Sequence, residues 1–243
     1  MSNNMVNNSS FAVRLIIPTV LLLSTWSRIQ AQADHNPDIP AFMGRQVTVT
    51  EPKLDPDGLG PMGPASVCVE EAQRQCYTAP HEFGVSPTVE VVPVKQGLDA
   101  LFFRVQSFGV SGWAVHFALL RSARTGKSLE NLFPPDTLVS NQSQHAFWNE
   151  PSISDAQIFL TAEYDYGPDE SHYGEHRYII SAYVLRTSTM LDGLNYYLED
   201  RYMTVRRYDL DANADVLGSE RQEILARLAR VKAETERQRK QPR

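Results

Sequence analysis

The chain has 243 residues, a formal net charge of −6 and 42% hydrophobic residues, which suits one folded domain with a sizeable core and excludes a collagen-like or wholly disordered chain. Charge is uneven: residues 1–33 hold only Arg14 and Arg28, residues 219–243 hold eight basic and four acidic side chains, and subtraction leaves −12 on residues 34–218. So acidic a body repels phosphates, and no nucleic-acid partner is expected; the basic tail reads as a solvated helix end.

Residues 1–33 have the layout of a secretory signal peptide. Arg14 precedes the apolar run Leu15-Ile16-Ile17-Pro18-Thr19-Val20-Leu21-Leu22-Leu23, and Ala31-Gln32-Ala33 supplies an A-x-A cleavage site. The run is about 10–12 residues, against roughly 20 for a membrane span, and Pro18 breaks it. Cleavage before Asp34 is expected, with no membrane span afterwards and a secreted or periplasmic destination. No Cys follows the run to take a lipid anchor.

Residues 34–66 read as a flexible leader, rich in turn formers across 55–64, with one short strand possible at Gln46-Val47-Thr48-Val49-Thr50. Cys68 and Cys76 follow. Two thiols eight positions apart in an exported chain are expected to form one disulfide, since the spacing fits neither a zinc ribbon nor a C-x-x-C redox pair.

Residues 67–218 read as a β domain. Strands are expected at 89–94, 101–105, 113–120, 156–166, 178–185 and 201–208, with weaker signals at 130–133 and 145–148. Ile158, Leu160, Ala162 and Tyr164 fall on one face of 156–166, with Gln157, Thr161, Glu163 and Asp165 on the other. Short spacings without intervening helices favour a mainly β fold, an antiparallel sandwich or barrel. Residues 219–243 close the chain as an amphipathic C-terminal helix with a charged tail. Ser219 and Gln222 form the expected capping box, and Ile224, Leu225, Leu228 and Val231 the face that packs on the sheet.

Two segments suggest metals. Residues 209–220 resemble an EF-hand calcium loop, with Asp209, Asp211 and Asn213 at the first, third and fifth places and Glu220 at the twelfth; this resemblance implies Ca2+. Ala214 stands where the motif needs Gly, and the preceding segment reads as strand. Residues 172–176, with His172, Glu175 and His176, resemble the H-x-x-E-H motif of inverzincin metallopeptidases, which implies zinc hydrolysis. Gly174 and a following strand argue instead for a hairpin tip dressed with polar side chains, where replacing both His by Ala would shift stability within about 0.5 kcal/mol. His116 alternates with Ala114 and Ala118 on a strand and reads as an ordinary strand residue. No dinucleotide fingerprint or P-loop occurs, and G-x-S-x-G is absent around Ser111.

Phe147, Trp148, Tyr164, Tyr166, Tyr173, Tyr178, Tyr183, Tyr196, Tyr197, Tyr202 and Tyr208 crowd the second half and can present an exposed aromatic face to a protein or glycan ligand. The reading favoured is an exported, non-enzymatic β domain that binds a partner or envelope component without a catalytic residue or obligate cofactor. The alternatives are a metal-dependent hydrolase at the His172–His176 loop and a calcium-stabilised structural module. N-terminal sequencing of the exported protein is expected to begin at Asp34, and recovery of Met1 refutes the signal peptide.

Overall fold

Leu101-Phe102-Phe103 is apolar on both sides of a strand, so it needs dry cover on both faces. The computed structural model provides it. Described are residues 41–57, 60–70, 73–107, 114–123, 128–134, 139–141, 144–165, 167, 174–188, 193–209 and 215–240. Residues 1–33, expected as a signal peptide, lie outside them. All the described residues belong to one unit, Asp38–Arg243.

Sheet one contains β1 (Val47–Thr50), β2 (Ser66–Val69) and β3 (Gln75–Thr78), in that order. Sheet two runs β4 (Phe83–Lys95), β5 (Leu98–Ser107), β6 (Ala114–Ser122), β7 (Leu129–Asn131), with β8 (Val139–Asn141) also paired to β6. Sheet three contains β9 (Gln144–Trp148), β10 (Ile158–Asp165), β11 (Arg177–Ser188) and β12 (Gly193–Met203), ordered β12-β11-β10-β9. All these pairings are antiparallel. Helices α1 (Val216–Ser219) and α2 (Arg221–Lys240) follow. The fold is therefore mainly β with a C-terminal helix, in a sandwich-like stack. Among the described residues the sheets stay open, so the barrel alternative does not hold.

Side-chain alternation distributes the core into three zones. Leu101, Phe103 and Val105 of β5 meet Val47, Val67 and Val69 of sheet one. Ala100 and Phe102, on the other face of β5, meet Phe159, Leu185 and Tyr196 of sheet three. Ile158, Leu160, Ala162, Ile180 and Val184 turn the far face of sheet three toward Val216, Leu217, Ile224 and Leu228 of the helices. Each buried Val, Leu, Ile or Phe among them contributes about 1.5–3 kcal/mol of burial.

Sheets two and three are pinned at one end. Gln157 N–H donates to the Val94 carbonyl at 2.7 Å, and Tyr196 N–H to the Leu132 carbonyl at 2.7 Å. The Tyr196 hydroxyl also donates to the Gln157 carbonyl at 2.9 Å. The layer between the sheets runs from this closed end towards Arg104 on β5 and Glu163 on β10.

Within the stretch expected as a leader, Phe42 is buried and β1 pairs with β2. Residues Pro61 and Gly63 press on β4 at Gly84, where a Cβ would stand 2.5 Å from the Gly63 carbonyl oxygen and 2.6 Å from Pro61 Cβ. Cys68 and Cys76 are cross-strand partners in the β2–β3 hairpin and are joined by a disulfide, with Cα atoms 4.1 Å apart.

Two local expectations change. The last strand is Gly193–Met203, not 201–208. A register shift between Ala182 and Tyr183 leaves Glu199 as the extra residue on β12, which breaks the two-residue period that marks a strand in sequence. The helix cap is Asp215 rather than Ser219. Asp215 Oδ1 accepts the Gly218 N–H at 2.8 Å, and Ser219 falls inside the short helix α1.

Candidate functional site

Of the seven expected metal residues, Glu175, His176, Asp209 and Glu220 are among the described residues. His172, Asp211 and Asn213 lie outside the described residues. Glu175 is exposed, whereas His176 is 0% exposed. Backbone hydrogen bonds of 2.8 Å run both ways between His176 and Tyr208, and the His176 ring packs edge-on against Tyr164 at 4.6 Å. His176 is thus part of the core and not hairpin dressing, because the bridge to Tyr208 and the Tyr164 ring enclose it. Asp209 is exposed. Glu220, expected as the bidentate calcium ligand, accepts from the Tyr208 hydroxyl at 2.6 Å and from the Tyr202 hydroxyl at 3.1 Å. Burial first, then the Glu220 carboxylate, pushes both phenols well up in pKa. Arg227 lies over the Tyr202 ring at 4.5 Å and donates to Asp200 at 3.1 Å. This cluster fastens α2 to β12. No group of three or more His, Cys, Asp or Glu among the described residues is placed to hold a metal.

The expected aromatic face is largely sequestered. Tyr178, Tyr196 and Tyr208 are buried, and Phe147, Trp148, Tyr164, Tyr183, Tyr197 and Tyr202 are half-buried. Tyr166 and Tyr173 lie outside the described residues. The large exposed apolar side chains on β12 are Leu198 and Met203, at 49% and 43% exposed.

These two flank Arg201, which ends a polar row across sheet three. His145 on β9 is the register partner of Thr161 on β10, Thr161 of Ser181 on β11, and Ser181 of Arg201 on β12. The neighbouring row is apolar: Phe147, Phe159, Tyr183 and Leu198. From sheet two, Arg104 reaches across, its Nη1 3.4 Å from His145 Nε2 and its Nε donating to Thr88 Oγ1 at 3.1 Å. The layer between sheets two and three thus changes from aromatic at its pinned end to polar at the other.

Burial perturbs this polar end. Thr161 and Ser181 are 1% and 2% exposed, and Thr161 Oγ1 has no hydrogen-bond partner among the described residues. A buried, unmade hydrogen bond costs about 1–3 kcal/mol. Desolvation, then the Arg104 guanidinium, lowers the His145 pKa to about 4. Desolvation raises Glu163, the next polar-face residue on β10, against the pull of Arg201. It also raises Tyr183, against a hydrogen bond from Ser181. Two guanidiniums, two hydroxyls, a neutral imidazole and one carboxyl whose pKa burial raises therefore share one end of the layer. Such clustering of perturbed groups makes this end of the layer a candidate functional site.

A second buried imidazole lies between sheets one and two. His116 Nε2 is 2.9 Å from the Tyr77 hydroxyl, and the two rings stack with an interplanar angle of 3°. Burial lowers its pKa to about 4, with Glu82 opposing. On the helix side of sheet three, a cavity of about 360 Å³ is lined by Val184, Arg186, Glu199, Leu228, Lys232 and Arg239, among others.

The polar half of the row was partly visible in sequence, since Thr161 and Glu163 fall on the polar face of 156–166. His145, Ser181, Arg201 and Arg104 were missed. They are joined only by strand register, and no spacing rule reveals register between distant segments.

Two outcomes follow. His176→Ala is expected to destabilise the fold by about 2–4 kcal/mol in urea denaturation, as deletion of a fully buried ring does, and a change within about 0.5 kcal/mol refutes its placement. Stability is also expected to fall with acid. His116 and His145 bind protons less readily folded than unfolded, so their contribution is complete above pH 6.5 and disappears as pH drops to about 4. Each accounts for on the order of 1–3 kcal/mol. Denaturation midpoints at pH 7.5 and 4.5 measure this, and a flat profile contradicts it; His145→Gln should remove about half the slope.

No family model, curated protein or solved structure matches the chain.

Proposed function

We propose that the protein is an exported, non-enzymatic β domain that binds a partner or envelope component at the polar end of the layer between sheets two and three. Export rests on the signal layout of residues 1–33, and the Cys68–Cys76 disulfide is in keeping with an oxidising compartment. No helix among the described residues is long and apolar enough to cross a membrane.

The observation that carries the binding reading is the row His145–Thr161–Ser181–Arg201, with its unsatisfied Thr161 hydroxyl, beside exposed Leu198 and Met203. A ligand at that edge covers the exposed apolar surface of β12 beside the Arg201 guanidinium. The rigid strands hold these donors in fixed positions, so little ordering entropy is lost on binding.

The test uses immobilised mature protein and a detergent extract of the cell envelope. Wild type is expected to retain a specific component. A Leu198→Lys, Met203→Lys double variant with an unchanged melting temperature is expected to lose it. Equal retention by both proteins, or by neither, refutes the proposal.

A further inference from the structure

We infer that the cavity between α2 and the outer face of sheet three is a second binding site, which takes a single-chain anionic amphiphile. The alkyl chain lies along Val184 and Leu228, and the anionic head meets Lys232 and Arg239. This site is on the opposite face of sheet three from the polar row and does not rest on the reading above.

One stripe of α2 makes the site. Residues three or four apart share a helix face, so Ile224, Leu228, Lys232, Thr235 and Arg239 lie along one line. Ile224 and Leu228 are both 1% exposed and pack with Ile180 and Val184. Past Leu228 the stripe turns polar. The sheet beneath it turns polar too, since Arg186 follows Val184 on the same face of β11. Helix and sheet no longer close there, and about 360 Å³ stays open between them. Thr235 and Arg239 line that space from the helix, Arg186 and Glu199 from the sheet, and Ile153 from the turn before β10.

The charges around the cavity do not cancel. Arg186 and Glu199 form an ion pair with each other. That leaves Lys232 and Arg239 against Glu236, one net positive charge, beside residues 34–218 that carry −12. Lys232 Nζ donates to the Ser152 carbonyl at 2.8 Å, a neutral acceptor that leaves the ammonium charge uncompensated and uses one of its three donors. Cations near a helix C-terminus also complement the helix dipole, and this accounts for Arg237, Arg239 and Lys240 in the last turn. It does not account for Lys232, about two turns earlier, because the effect fades within the last turn.

Floor and rim together select the ligand. Val184 and Leu228 offer no side-chain hydrogen bond, so a sugar or an amide laid on them loses its water without return. The Thr235 hydroxyl donates to the Val231 carbonyl of its own helix at 3.0 Å and demands no partner from a ligand. An alkyl chain suits that floor, and the cationic rim favours an anionic head over a cationic one. Size limits the chain. Small-molecule sites start at about 300 Å³, so 360 Å³ admits one chain of medium length and not a two-chain lipid. A fatty carboxylate and an alkyl phosphate share this chemistry.

The test is calorimetric titration of the mature protein with octanoate, octyl phosphate, octyl glucoside and acetate, each below its micelle concentration. Octanoate or octyl phosphate is expected to bind at one site per chain, and the tighter of the two identifies the head group. Octyl glucoside has the chain without the charge, and acetate the charge without the chain. Each is expected to bind at least about tenfold more weakly than that anion. Lys232→Gln is expected to weaken the tighter anion at least about fivefold. Thr235→Phe fills the cavity and is expected to abolish binding while the melting temperature equals or exceeds that of wild type. The Leu198→Lys, Met203→Lys variant, altered on the other face, is expected to bind as wild type does, so this inference and the binding reading fail separately. Binding of neither anion reduces the cavity to a packing gap and overturns the inference. So does octyl glucoside binding as tightly as the anions, full affinity in both Lys232→Gln and Thr235→Phe, or loss of binding in the Leu198→Lys, Met203→Lys variant.

Discussion

The constraint on which the rest of the structure depends is that β5, an inner strand of sheet two, is dry on both faces. Leu101 and Phe103 look to sheet one, while Ala100 and Phe102 look to sheet three. A strand in that position cannot solvate a polar side chain, so polar groups on β5 and its covered neighbour β6 favour protein partners or the strand end. His116 finds Tyr77 at 2.9 Å. Arg104 finds Thr88 and His145 toward the end of β5. The polar end of the layer is therefore a product of the stacking as much as of local sequence.

The two ends of that layer do different work. At one end, backbone hydrogen bonds from Gln157 and Tyr196 lock sheet three to sheet two, and Phe102, Phe133, Phe159 and Tyr196 fill the space. Aromatic rings with centroids 4.6–6.4 Å apart gain more than their buried area alone. At the other end the same strands carry hydroxyls and guanidiniums. A stiff apolar end supporting a polar one is the arrangement by which a scaffold holds binding groups in place at low entropic cost.

Legibility in the sequence followed the range of the forces involved. The strands 101–105 and 178–185 were plain because burial on both faces leaves a continuous apolar run. The cysteine pair was plain because the expected export signal and the spacing leave few alternatives. β12 was misplaced because the extra residue at Glu199 disrupts its alternation. Asp215 was overlooked as a cap because Ser219 offered a better local pattern, and only the short helix α1 distinguishes them. His176 looked exposed because its neighbours are Gly174 and Glu175; the bridge to Tyr208, 32 positions away, buries it. The candidate site depends on register among β9, β10, β11 and β12, and single-sequence patterns carry the period of a strand but not the identity of its neighbours.

The docking of α2 sets an order on assembly. Sheets two and three are built from strands that mostly pair with their neighbours in the chain, so their hydrogen bonds can form as the chain emerges. The outer face of sheet three is different. Ile158, Leu160, Ile180 and Val184 are covered by Val216, Leu217, Ile224 and Leu228, which come after every strand. Until that last segment arrives, the finished sheet presents a bare apolar surface to water. Whatever delivers this chain from its N-terminus must tolerate or shield that surface for the time it takes the final helix to follow.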